Sequence, residues 1–182
     1  IYILIIIFSI DLYCKELKPV TKSPAVTKES IKIGNIAPKF YQIATDRQFY
    51  RLRDYVCADS SEAIRKYPNT KLVILDFFNT LCLPCKDEMP VFEKYYREYK
   101  DSGLMVLLIG TDKAGADVLV PFADEYNLSM PVIVDKYEKL KKEYGVEIFP
   151  TTFIIDKKQR IVDIVAPEDN IDSNTLNTQL KN

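Results

Sequence analysis

Residues 71–78 read KLVILDFF, an apolar run broken only by Asp76, and residues 104–110 read LMVLLIG. Runs of this kind, without alternation, mark strands buried on both faces, as in the middle of a parallel sheet. The stretches after them read as helices, from about Leu83 to Lys100 and from about Gly115 to Tyr126. A third strand PVIV, a short helix YEKLKKEY and the pair TTFIID and RIVDIV complete the order. Strands joined through helices imply parallel neighbours with helices on both faces, and a closing hairpin adds antiparallel ones. The expected class is therefore α/β, with a central mixed sheet flanked by helices.

The pattern differs upstream. From Ile31, Gly34 and Pro38 punctuate short runs, and FYQIA followed by QFYRL suggests an N-terminal β-hairpin extension. The segment CADSSEAIRKYPNT is expected to hold a short helix ending at Pro68, and the Asn-rich tail NIDSNTLNTQLKN a weak final one. Residues 1–13 are apolar from Ile1 to Ile10, then meet Asp11, and read as a signal or membrane-anchor remnant. The run is shorter than the roughly 20 residues that span a bilayer. Cys14 invites a lipid attachment reading, against which Tyr13 and Asp11 argue. Residues 14–30, rich in Lys, Thr, Ser and Pro, have the composition of a tether, leaving residues 31–182 as one catalytic domain.

Charge narrows the partners. With 25 basic and 26 acidic residues in 182, nothing resembles the footprint of a nucleic-acid binder. The chain contains no histidine, which removes the commonest general base, the usual triads, most catalytic zinc sites and haem attachment through CxxCH. Attention passes to the cysteines at 14, 57, 82 and 85, of which only the last two are close in sequence.

Cys82-Leu83-Pro84-Cys85 stands where a buried strand gives way to a helix. A sulfur at a helix N-terminus meets unpaired N–H groups and the positive dipole end, both of which favour its thiolate. Cys82 would attack a partner's disulfide, and Cys85, three residues on and on the same side of the helix, would resolve the mixed disulfide and leave Cys82–Cys85 oxidised. Half a zinc site looks identical, but zinc needs four ligands and no second pair or histidine is present; a purely structural disulfide is the other alternative. No metal or other cofactor is implied. Asp76, a carboxyl in an apolar strand, should have a raised pKa through desolvation, which suits a proton shuttle. An acid bonded to nearby backbone is the plainer alternative.

The segment VILDFFNTLCLPCKDEMPVFEKY resembles the active-site segment of thioredoxin-fold proteins, and KEYGVEIFPTTFIIDKKQRIV resembles their second signature, which carries a cis-proline. With GNIAPKF near the start, the chain is most similar to the TlpA/ResA branch, extracytoplasmic proteins related to the AhpC/TSA group, over roughly Ile31 to Val165. The resemblance implies a thioredoxin-like fold. It implies that Asp76 assists proton transfer to Cys85, and that Pro150 is the cis-proline whose loop offers backbone groups to an extended chain. Leu81, Leu83, Pro84, Phe149 and Pro150 would then form the substrate-binding surface. Leu81 stands where the family usually has tryptophan, which changes the shape of that surface and leaves the sulfur chemistry intact. Pro90 is expected to kink the active-site helix, and Cys57 to be a small buried thiol.

The function implied is exchange of disulfides with exported proteins in the cell envelope, on its extracytoplasmic side, with cytochrome c maturation as the best-known use in the family. The partners implied are disulfide-bearing or dithiol proteins, a membrane redox partner that supplies or accepts electrons, and the membrane itself through the N-terminal anchor. Two rivals remain. A peroxidase of the peroxiredoxin group would carry threonine three residues before the reactive cysteine, whereas Thr80 is two before Cys82. A non-catalytic module could use the same face for docking alone.

Overall fold

The computed structural model describes residues 31–58 and 65–166. The apolar runs become the strands they suggest: β3 (Leu72–Phe78) and β4 (Leu104–Gly110) are buried at every residue. Five strands pair in the order β5-β4-β3-β6-β7, where β5 is Val132–Val134, β6 is Thr151–Asp156 and β7 is Ile161–Val165. β3, β4 and β5 run parallel, while β6 and β7 are antiparallel to their neighbours. A separate hairpin of β1 (Tyr41–Ile43) and β2 (Phe49–Arg51) is bridged to the β5 side through Ala44 and Ile133.

The two-residue period of β3 sorts its side chains between two cores. Val73, Leu75 and Phe77 pack with Leu107, Ile109, Phe153, Tyr144 and the residues just after the hairpin, Leu52, Tyr55 and Val56. Leu72, Ile74 and Phe78 face the other way, against α1 (Leu83–Tyr99) through Cys85, Met89 and Phe92 and against α2 (Ala116–Glu125) through Leu119 and Phe122. Truncating a central residue such as Ile74 to alanine removes packing worth about 2–5 kcal/mol. Asp76 has the parity of Ile74 and Phe78, so it points into the core that contains Cys85.

Local chemistry closes the helices. The short α3 (Lys139–Tyr144) is capped by buried Asp135, whose Oδ1 accepts from the Lys139 and Leu140 N–H groups and whose Oδ2 accepts from Lys141 N–H. Gly103, between α1 and β4, has φ 106°, and a Cβ there would lie 2.7 Å from the Asn69 carbonyl oxygen, so glycine is required on both counts. Pro90 sits inside α1, and the helix continues through it to Tyr99. Of the segment expected to be a short helix before β3, residues 65–70 form turns, held by Arg65 Nη1 donating to the Tyr55 and Thr70 carbonyls. Residues 59–64 of that segment, the N-terminal 30 residues with Cys14 and the expected final helix lie outside the described residues.

Candidate active site

The loop from β3 into α1 carries the two cysteines. Cys82 is the N-cap of α1, Leu83 opens the helix, and Pro84 occupies its first turn, where the missing N–H costs nothing. Cys82 and Cys85 are joined by a disulfide, with Cα atoms 5.3 Å apart. The Cys85 N–H points at Cys82 Sγ at 3.2 Å, one of the helix's unpaired donors aimed at the sulfur. No acidic residue stands in the first turn to oppose a thiolate there. Cys82 is half-buried and Cys85 fully buried, so the first sulfur is the one an incoming disulfide can reach.

The loop itself is pinned from β4. Buried Asp112 accepts from the Thr80 N–H at 3.2 Å through Oδ2 and from the Thr80 hydroxyl at 2.6 Å through Oδ1. Asn79 adds two bonds, accepting from Leu81 N–H at its side-chain oxygen and from Cys82 N–H at its carbonyl. Thr80 therefore holds the loop in place through Asp112, a contact 32 residues away that no local pattern announces.

Asp76 is wholly buried. Its Oδ1 accepts from the Thr152 hydroxyl at 2.8 Å, while Oδ2 has no partner among the described residues. Burial pushes the carboxyl up to about 8, the Thr152 hydrogen bond restrains the rise, and the negative field of Glu88 adds to it. Glu88 lies on α1, three residues beyond Cys85. Its own pKa is raised by burial, and its Oε2 is buried without a partner among the described residues. The sequence reading missed Glu88. Its position one helical turn after Cys85 was the available signal, but only the folded helix shows it within the field of Asp76.

The second signature meets the first across β3 and β6. Asp76 pairs with Thr152 and Phe77 with Thr151, which carries the preceding Phe149-Pro150 to the end of β3 where the cysteine loop begins. The Phe149–Pro150 bond is cis and Pro150 is buried. Phe149, half-buried, packs against both cores, and Lys141 Nζ lies 5.0 Å from its ring centre. Around the disulfide the surface is aliphatic: Leu81 is 84% exposed and Leu83 70%, Pro84 is exposed, and Ile148, which the sequence reading did not single out, is 56% exposed. Cys57, expected to be buried, is half-buried in the stretch after β2 and outside any disulfide among the described residues, with its N–H donating to the Lys157 carbonyl.

Comparison with known proteins places this geometry among relatives. Residues 33–164 match the model of the AhpC/TSA family. The chain is 32% identical over 142 residues to the thiol-disulfide oxidoreductase ResA of Bacillus anthracis, covering 78% of this chain and 73% of that one. It is 40% identical over 95 residues to the thioredoxin-like protein YneN of Bacillus subtilis, covering 52% and 55%. Among solved structures, the thioredoxin domain of a thiol-disulfide oxidoreductase from Bacteroides vulgatus superposes with a TM-score of 0.65 at 22% identity, covering 84% of this chain and 98% of that one. The peroxidoxin BcpB of Mycobacterium tuberculosis shares the fold, with a TM-score of 0.64 at 18% identity and 83% and 97% covered.

Proposed function

We propose, from the premise that this chain belongs to the AhpC/TSA family and is a thiol-disulfide oxidoreductase, that it works in the cell envelope as a reductant of disulfides in exported proteins. Cytochrome c maturation is the use that its similarity to the ResA proteins favours. The apolar run from Ile1 to Ile10 supports attachment to, or export across, a membrane, and a membrane redox partner would return electrons to the oxidised pair.

The reaction runs in two displacements. The Cys82 thiolate attacks a sulfur of the partner's disulfide, forming a mixed disulfide and releasing the partner's other sulfur as a thiolate. Cys85 then gives up its proton, with the Asp76 carboxylate as acceptor, and attacks Cys82 Sγ; the second partner sulfur leaves and Cys82–Cys85 is oxidised. The exposed Leu81, Leu83 and Pro84, with Phe149 and the backbone beside Pro150, receive the extended segment that carries the target cysteine.

The direction of electron flow rests on one observation, the Asp76 carboxyl buried on the β3 face that packs against Cys85, with half-buried Glu88, one turn beyond Cys85, in its field. A carboxyl that burial keeps largely protonated at neutral pH places no positive charge beside Cys85, and once ionised it opposes a Cys85 thiolate. A dithiol whose reduced form is not stabilised as thiolate gives its electrons away, in contrast to strong oxidants, whose reduced form is stabilised. The test is equilibration of Cys82–Cys85 with dithiothreitol buffers. A reduction potential near that of thioredoxin, about −270 mV, is expected, whereas one near −120 mV would make the protein a disulfide donor. The peroxidase reading gains nothing from Thr80, which is placed to hold the loop against Asp112.

A further inference from the structure

The β1–β2 hairpin turns an apolar face away from the domain. Tyr41 stands opposite Arg51 and Ile43 opposite Phe49, and these four side chains share the outer face, while Gln42 and Tyr50 take the other. On that face Tyr41 is 60% exposed, Phe49 56% and Ile43 40%, and the two rings stack with centroids 4.8 Å apart. Arg51 lies over the Tyr41 ring at 5.7 Å, and exposed Arg47 occupies the turn at the tip. Contiguous exposed apolar side chains on a small domain mark a contact surface. Core packing does not account for them, because Tyr50 and Ala44 already supply the hairpin's inward contacts.

Charge identifies the kind of partner. Residues 39–54 carry four basic side chains, Lys39, Arg47, Arg51 and Arg53, against two acidic ones, Asp46 and Asp54, in a chain whose net charge is −1. The Arg51–Asp54 pair at 3.2 Å cancels one charge of each sign and leaves Lys39, Arg47 and Arg53 against Asp46. Aromatic rings and an isoleucine flanked by arginines are the composition that settles at the boundary between lipid headgroups and acyl chains. We propose that this face, Tyr41, Ile43 and Phe49 with Arg47 and Arg51, rests on an anionic lipid bilayer. The inference relies on the envelope assignment above. Residues 14–30, read from composition as a tether of 17 residues, would reach on the order of 25 Å, so a weakly binding face suffices once the apolar N-terminus is in the membrane. Docking would hold the domain, and with it the disulfide, in one orientation to the bilayer.

The absence of tryptophan supplies a clean reporter. Phe49→Trp, and Tyr137→Trp as a control at an exposed site outside the hairpin, are mixed with vesicles of phosphatidylcholine and phosphatidylglycerol with or without brominated acyl chains. The expected result is that position 49 emission shifts to the blue and is quenched by the brominated lipid, while position 137 is not. Arg47→Gln should lower the ratio of docked to undocked hairpin about fivefold, as should replacing phosphatidylglycerol in part. Cosedimentation without quenching at position 49 overturns the docking face and leaves the N-terminal anchor standing. Failure both to sediment and to quench overturns docking and anchor together. A blue shift that grows with protein concentration in the absence of lipid assigns the face to a second copy of the chain and also overturns the proposal.

Discussion

Thr152 donates its hydroxyl hydrogen to Asp76 Oδ1 at 2.8 Å, and the two residues are register partners across β3 and β6. The buried acid and the strand that leads out of cis Pro150 are thereby one unit. The hydrogen bond ties the position of the carboxyl to the register of the two strands.

Asp76→Asn should slow release of the reduced partner about 10- to 100-fold while leaving formation of the mixed disulfide unchanged, because the role proposed for the carboxylate is to take the Cys85 proton and not that of Cys82. Single-turnover quench experiments separate the two steps, and equal slowing of both would reduce Asp76 to a structural role. The same group links stability to pH. Folding raises its pKa from 3.8 to about 8, so between those values the native state holds a proton that the unfolded chain has lost. Its contribution is full below about pH 4 and is lost as pH rises through 8. Asp76→Asn should flatten that decline and stabilise the protein by a few kcal/mol at pH 9, read from urea midpoints.

Glu88→Gln should lower the pKa of Asp76, since removing the neighbouring negative charge makes ionisation easier. The pH midpoint of mixed-disulfide resolution should move down, with a smaller loss of rate than Asp76→Asn produces. Asp87→Asn, at the exposed adjacent position, serves as control and should leave the profile where it was. An unmoved midpoint in Glu88→Gln would separate the two carboxyls.

Removing the pin on the cysteine loop should cost stability and reactivity together. Asp112→Ala leaves the Thr80 N–H and hydroxyl without their acceptor, a loss of about 1–3 kcal/mol in urea unfolding. The loop that aims the Cys85 N–H at Cys82 Sγ should then be less ordered, so the pH profile of iodoacetamide labelling of reduced Cys82 should shift upward. Thr80→Ser keeps both donors and should behave as the parent protein. Destabilisation without a shifted labelling profile would leave Asp112 with packing alone.

Cys57→Ser should retain full turnover, and non-reducing peptide maps of the oxidised protein should show Cys82 joined to Cys85. The two-cysteine cycle is complete without a third sulfur. A bridge containing Cys57 in the oxidised protein would draw the stretch after β2 into the mechanism.

What could be read along the chain depended on how local its cause was. The buried strands LVILDFF and LMVLLIG were legible because burial on both faces leaves no room for polar side chains, and the hairpin because its punctuation is local. Cys82 and Cys85 were legible because three residues at the start of a helix bring two sulfurs together. The expectation of a helix before β3 did not extend to residues 65–70, where Pro68 and the Arg65 bonds to two carbonyls make turns.

By itself, then, the sequence determined the order of elements, the redox pair and the acid in the apolar strand, all consequences of short-range periodicity and spacing. Only the tertiary structure decided that Thr152 bonds that acid, that Glu88 lies in its field and that Asp112 holds Thr80. Those partners lie 76, 12 and 32 residues apart, on elements whose approach is set by sheet register and helix packing, and neither leaves a repeating mark in the chain.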